Sequence, residues 1–290
     1  MHTHAHNVLW RECGNVESES SLTAVSRDAE VAAAIVARRD GLLVVLSGAG
    51  MSQESGVPTF RDAQTGLWAR YDPLELATPE AFRTHPARVF GWYVWRYQLV
   101  QRAQPNAGHY ALATMQRALD GAGAAGQSVL VVTQNVDGLH QRAGTTDVVE
   151  LHGSLQSFRC LGAGHPYDAT AIGEMAVPPD GEVDPPACPA CGSPVRPGVV
   201  WFGEMLPQAS LERAYRAARA CAAMLVVGTS GVVYPAAALP EIALSRAIPV
   251  IEISPEPTAL TPHVTLSWRA TSASALPLLE RALAGPGGAG

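Results

Sequence analysis

Four short, predominantly apolar runs punctuate the chain: Leu42 to Leu46 (LLVVL), Val129 to Thr133 (VLVVT), Met224 to Gly228 (MLVVG) and Pro249 to Ile253 (PVIEI). They are β-branched and do not alternate with polar residues, so they predict strands buried on both faces. Apolar residues at helical spacing fill Val25 to Arg39, Gly108 to Asp120, Leu211 to Ala222 and Ala236 to Arg246. Arg38 and Arg39 end the first of these helices and Gly41 closes it. Strands alternating with helices predict an α/β fold, a doubly wound parallel Rossmann-like sheet with ligands at the carboxyl ends of its strands.

Two stretches break the alternation. Leu67 to Arg102 is aromatic and reads as helical, while Phe158 to Pro197 is loop-rich and holds three of the five cysteines. Together they predict a smaller inserted domain: a helical part over 67–102 and a Cys-containing module over 158–197. The large domain then comprises 25–66, 103–157 and 198–284. Residues 1–24, with His2, His4 and His6, read as a disordered tail, and the glycine-rich 285–290 as a frayed end.

Composition narrows the function classes. Of the 290 residues 47% are hydrophobic and 16% charged, with a net charge of −6. An acidic protein of this kind lacks the clustered basic residues of a nucleic-acid or anionic-membrane binder, so neither partner is expected. Lysine is absent, and all 20 basic residues are arginine. The charge-free stretch Ala220 to Pro240 has the length of a membrane span, but Gly228-Thr229-Ser230-Gly231 and two prolines interrupt it, and it reads as a buried strand plus a loop. An amino-terminal apolar run of signal-peptide length is lacking, and a cytoplasmic location is expected. Cys13, Cys160 and Cys221 are scattered and only Cys188-x-x-Cys191 is paired, which is not a disulfide framework.

Candidate chemistry begins where the first strand ends, at Ser47-Gly48-Ala49-Gly50-Met51-Ser52. Glycines directly after a strand let backbone N–H groups approach a pyrophosphate. The third glycine of the dehydrogenase fingerprint is missing, because Gln53 stands there. The segment continues as Glu54-Ser55-Gly56-Val57-Pro58-Thr59-Phe60-Arg61-Asp62, then Gly66-Leu67-Trp68. Four more blocks follow in order: Thr133-Gln134-Asn135-Val136-Asp137-Gly138-Leu139-His140; Glu150-Leu151-His152-Gly153-Ser154; Val199-Val200-Trp201-Phe202-Gly203-Glu204; and Gly228-Thr229-Ser230-Gly231-Val232-Val233-Tyr234-Pro235.

This series resembles the sirtuin (Sir2) family of NAD-dependent protein-lysine deacylases over roughly residues 27–283. The resemblance implies NAD contacts at Gly48, Ala49, Gly50, Ser52 and Ser55, at Phe60, Arg61 and Trp68 of a mobile loop, and at Gln134, Asn135 and Asp137. Gly228, Thr229 and Ser230 extend the set; Ser254 stands where family members commonly have an asparagine for the adenine ribose, and its hydroxyl can still make that bond. His152 becomes the general base, with Asn135 and Asp137 beside it. In the implied reaction the acyl oxygen of a modified lysine attacks the ribose carbon as nicotinamide leaves, and the acyl group passes to ADP-ribose. A near-neutral pKa suits a histidine to that task. Protein ADP-ribosyltransfer and non-catalytic NAD or ADP-ribose binding are the competing readings.

By the same resemblance the substrate is an acyl-lysine peptide lying as an added strand between Val200, Phe202 and Gly203 on one side and Val232 and Tyr234 on the other, held mainly by main-chain hydrogen bonds. A monomer is expected. Tyr93-x-x-Arg96 and Ala77, within Ala77-Thr78-Pro79, look like the acyl-recognition residues of the sirtuins that remove succinyl and malonyl groups. A guanidinium and a phenol at i and i+3 share one helical face and suit a carboxylate, while alanine leaves room for a longer chain. Family members usually carry two Cys-x-x-Cys pairs around a structural zinc. Here Cys188 and Cys191 form one pair, and only Cys160, with His165 nearby, remains of the other. A closed Cys3His site and a metal-free module are both open at this point.

Overall fold

The computed structural model describes residues 19–38, 40–57, 72, 76–121 and 128–285. Strands β1 (Leu42–Ser47), β2 (Ser128–Thr133), β3 (Val148–Glu150), β7 (Ala223–Val227), β8 (Val250–Ile253) and β9 (Leu266–Trp268) form a six-stranded sheet in the order β3-β2-β1-β7-β8-β9. Every pairing in it is parallel. Successive side chains of one strand enter different cores, as the pleat requires. Leu43, Val45, Val129, Val131, Leu225 and Ile251 pack under helices α1 (Glu19–Ala37), α4 (Ala107–Gly121) and α9 (Ser272–Ala284). Val44, Leu46, Leu130, Val132, Met224 and Val226 pack under α7 (Gln208–Ala220) and α8 (Ala238–Ser245). Burial on both faces explains the unbroken apolar runs.

The second sheet is antiparallel. β4 (Gly153–Cys160) lies between β5 (Pro166–Tyr167) and β6 (Val195–Val199). Helices α2 (Pro79–Thr84), α3 (Pro86–Arg102) and α6 (Ala169–Gly173) pack against it around Phe82, Phe90, Trp92, Leu155, Phe158, Ile172 and Trp201. This corrects two expectations. The loop-rich module contains strands, and boundaries at 157/158 and 197/198 would cut through β4 and β6. The strands were hidden because Ser154, Gln156, Ser157, Arg159, Arg196 and Pro197 interrupt any apolar run. Residues 19–24, assigned to a tail, belong to α1, and no Gly or Pro interrupts the chain from there to Gly41. Among the described residues no helix is long and apolar enough to cross a membrane.

The chain runs outward from β1 through β2 to β3, then returns to the other side of β1 at β7, so the switch point of the sheet lies between β1 and β7. The loops leaving these two strands touch backbone to backbone. Gly48 donates its N–H to the Val227 carbonyl at 3.0 Å and Gly50 to that of Gly228 at 2.8 Å. Gly228 has φ +58°, and a Cβ there would stand 2.5 Å from the Gly50 carbonyl carbon and the Met51 nitrogen. No shift of a flexible side chain can relieve that contact.

A buried polar seam runs beneath this contact. His140, on α5 (Leu139–Arg142), bonds through Nε2 to Ser47 Oγ at 2.9 Å, and Ser47 donates to Thr133 Oγ1 at 2.8 Å. Thr133 Oγ1 also accepts the Asn135 N–H at 3.0 Å, so the seam reaches the loop after β2. His109 packs on His140 with ring centroids 4.9 Å apart. Burial holds both imidazoles neutral, His109 down to about 4 and His140, next to His109, down to about 3.

Two predictions follow from these packing and protonation constraints. Gly228→Ala combines a left-handed backbone with a collision and should cost about 3 kcal/mol in denaturant-unfolding stability; a loss below about 1 kcal/mol shows that the two loops can part. In the unfolded chain both histidines titrate near the ordinary value of about 6.5. Their folded values are lower, so stability is whole above that pH and falls as the pH drops toward 4. Between pH 7.5 and 5 the pair should account for about 4 kcal/mol of lost stability. His109→Gln, which takes up no proton, should halve this loss in unfolding curves recorded at both pH values.

Candidate active site

Three loops at the carboxyl ends of β1, β2 and β7 build the site. Gln134 begins the loop after β2; its N–H donates to the Ser47 carbonyl at 3.0 Å and its Nε2 to Thr229 Oγ1 at 3.0 Å. One residue on, Asn135 turns inward, and its Nδ2 donates to the Gly48 carbonyl at 3.0 Å and to Ser52 Oγ at 3.1 Å. Asp137 is buried and caps α5, accepting the Leu139 N–H at 2.9 Å. Burial raises its carboxyl pKa, while the Leu139 N–H, the Ser52 hydroxyl and the Arg96 charge pull the other way. Ser52 thus links Asn135 to Asp137 and receives His109 Nε2 from below at 3.5 Å.

His152 stands between β3 and β4. Its Nδ1 lies 2.9 Å from the Gln134 carbonyl oxygen, which can only accept, so Nδ1 carries the proton and Nε2 keeps a lone pair. Burial pushes the His152 pKa down, with the Gln134 carbonyl opposing. Both the burial and the Nδ1–H bond to the Gln134 carbonyl are compatible with the neutral imidazole.

Tyr93 and Arg96 lie one turn apart on α3. The Tyr93 phenol is buried and accepts the Trp201 indole N–H at 3.0 Å. Burial drives its pKa up to about 12, against the nearby Arg96 charge, so it stays protonated. The Arg96 guanidinium lies 4.9 Å from the Trp92 ring centroid and within electrostatic reach of Tyr93 and Asp137. Ala77 is buried, and its carbonyl accepts the Phe202 N–H at 2.9 Å. Val200 donates its N–H to the His152 carbonyl at 2.8 Å, and Gly203 sits in a turn with φ +86°. Phe202, Met205, Val232, Val233 and Tyr234 are exposed although apolar or aromatic.

Other predicted residues fall differently. The Gly48 and Gly50 N–H groups are taken up by the β7 loop, so these glycines serve loop-on-loop packing before any phosphate. Ala49 and Ser230 lie half-buried in the same two loops, and Ser55 accepts from Asn106 Nδ2 at 3.1 Å. Ser254 donates its hydroxyl proton to the Glu256 carbonyl at 2.7 Å, which leaves its oxygen as an acceptor. Phe60, Arg61 and Trp68 lie outside the described residues. Sequence reasoning missed Asn106, which also donates to the Met51 carbonyl at 2.8 Å, and with it His109. Pro105-Asn106 at a helix start was the available signal.

The four candidate metal ligands come together. Cys160 Sγ and Cys188 Sγ each lie 3.6 Å from His165 Nδ1, Cys160 Sγ and Cys191 Sγ are 3.6 Å apart, and all four ligand atoms fall within 4.8 Å of one another. A tetrahedral zinc with Zn–S of about 2.3 Å and Zn–N of about 2.0–2.1 Å has edges of about 3.6–3.8 Å, so the set fits that ion. Hydrogen bonds from Ser193 lower the Cys191 thiol pKa to about 7, which favours the thiolate a metal takes.

Comparison with known proteins supports one family. Two curated relatives are an NAD-dependent protein deacylase of Mycobacterium leprae, 51% identical over 82% of this chain and 97% of its own, and NAD-dependent protein deacylase 1 of Pseudomonas aeruginosa, 51% identical over 74% and 83%. The crystal structure of a Sir2 homologue in complex with NAD superposes with a TM-score of 0.75 at 41% identity, covering 93% of this chain and 95% of that one. The family model described as "Sir2 family" matches residues 48–235, and it takes in the glycine loop, Asn135, Asp137, His152 and the β7 loop. The chain belongs to the Sir2 family.

Proposed function

We propose that this enzyme is an NAD-dependent protein deacylase that prefers lysine acyl groups ending in a carboxylate, namely succinyl, malonyl or glutaryl, and also accepts acetyl. One observation carries the acyl preference: a protonated phenol and a guanidinium lie one turn apart on α3, the guanidinium within electrostatic reach of Asp137, and the buried Ala77 belongs to the same core cluster as Tyr93. Arg96 offers charge and Tyr93 a hydroxyl proton to an acyl carboxylate, and Ala77 leaves the space for its chain.

When bound, NAD supplies a bond between ribose and nicotinamide whose cleavage leaves an electron-poor carbon. Gln134, Asn135, Ser52 and Asp137 form an interlocked polar cluster suited to hold the nicotinamide and ribose end, with Ala49, Thr229 and Ser230 along the dinucleotide and Ser254 toward the adenosine. His152 takes the proton of a ribose hydroxyl at Nε2; its Nδ1–H on the Gln134 carbonyl fixes the tautomer that leaves Nε2 basic. The exposed apolar residues Phe202, Val232 and Tyr234 flank the path of a peptide paired through the backbone of Val200 and Gly203. Cys160, His165, Cys188 and Cys191 hold a structural zinc that ties the turn after β4 to the loop before β6. In this reading the parallel sheet is the dinucleotide-binding domain, and α2, α3 and the antiparallel sheet form the smaller domain.

Turnover of acyl-lysine peptides with and without NAD, followed by mass spectrometry, tests the activity. Arg96→Met should lower kcat/KM for a succinyl-lysine peptide by about 10- to 100-fold, far more than for the acetyl-lysine peptide. Equal losses on both substrates overturn the acyl assignment. Purified protein should carry about one zinc per chain and His165→Ala should carry less, measured by elemental analysis; a wild-type stoichiometry near zero removes the ligand set.

A further inference from the structure

Trp201 belongs to none of the groups that would touch substrate, yet its surroundings are unusually constrained. An indole N–H can only donate, so at 3.0 Å from the Tyr93 oxygen it forces the phenol to accept. Among the described residues no acceptor takes the Tyr93 proton, which is left to point away from Trp201. The indole itself is clamped. The Arg196 guanidinium carbon lies 3.5 Å from the ring centroid, and Phe82 packs 5.2 Å away. Both Arg196 Nη atoms bond the Glu204 carboxylate, and Glu204 Oε2 also accepts the Trp201 backbone N–H at 2.9 Å. Arg196 is buried and further bonds the Val199 carbonyl at 3.0 Å. Backbone and ring of Trp201 are therefore gripped by one ion pair.

We propose that Trp201 is a specificity-determining positioning residue: it fixes the polarity of the Tyr93 hydroxyl so that the phenol donates to the acyl carboxylate, with the Arg196–Glu204 pair holding the indole in place. The inference rests on the carboxylate-acyl reading of Tyr93 and Arg96 above. It explains why a donor-only side chain is placed against the phenol. A residue able to accept would compete for the proton that recognition needs. It also joins the loop after β6 to α3, so that the strand flanking the peptide and the acyl pocket are set together.

The test is a double-mutant cycle on the ratio of kcat/KM for succinyl-lysine over acetyl-lysine peptide, using Trp201→Phe, which keeps an aromatic ring and deletes the N–H, Tyr93→Phe, and both together. Trp201→Phe should lower the ratio about tenfold, mainly through KM of the succinyl peptide. In the Tyr93→Phe background the same change should have no further effect, because the residue acts through the phenol. Equal effects on both peptides, or independent effects in the double variant, reduce Trp201 to a packing residue and overturn the proposal while Arg96→Met still reports on the acyl reading. A wild-type ratio that Arg96→Met leaves unchanged overturns both. A folding defect is separated from loss of polarity by Arg196→Met, which frees the ring without removing the N–H: it should lower the ratio less than Trp201→Phe at matched folded fraction, and a greater loss also overturns the proposal.

Discussion

The site depends on one contact: the loop after β1 lies directly on the loop after β7, glycine against glycine. The sheet order places these strands side by side at the switch point, so their loops must either touch or diverge. Gly50 and Gly228 let them touch, and the N–H groups of Gly48 and Gly50 seal the contact. With the two loops fixed, Gln134 can bridge from β2 to Thr229 and Asn135 can reach the Gly48 carbonyl. A side chain at Gly228 would separate the loops and remove the bridge that holds Gln134, whose carbonyl in turn orients His152.

Burial has a second role. Asn135, Asp137, His140 and His109 are enclosed, and burial favours the neutral form of the three that titrate. His140, at the end of the seam through Ser47 to Thr133, is kept neutral by its burial. His152, with its Nδ1–H on the Gln134 carbonyl, keeps a lone pair at Nε2 in the same neutral form. Desolvation favours both neutral forms, and the resulting cost appears as acid sensitivity of the fold.

The smaller sheet and its helices bring together groups that are otherwise unrelated. Ala77, Tyr93 and Trp201 come from a loop, a helix and the turn after β6, and the Ala77–Phe202 backbone bond and the Trp201–Tyr93 side-chain bond hold them together. The three thiols and His165 gather within 4.8 Å of one another at the far end of the same sheet.

The sequence alone determined the parallel strands and the order of the site blocks, because both are local: a strand buried on two faces must be apolar throughout, and a loop that turns sharply after it must carry small or polar residues. Ser47 to Ser52, Gln134 to Asp137 and His152 were legible for that reason. The antiparallel strands were not, since a small sheet with one partly wet face can carry Gln156 and Arg159 on its central strand, and its edge strand can carry Pro197. Only the tertiary structure decided which partner each polar atom takes. Tyr93 and Trp201 stand 108 positions apart, and Gln134 and Thr229 stand 95 apart. It also decided that Cys160, His165, Cys188 and Cys191 come within 4.8 Å of one another, and that two glycine N–H groups are used by the end of β7 and the loop after it. Such choices depend on which strands lie side by side, and neither periodicity nor motif spacing encodes that adjacency.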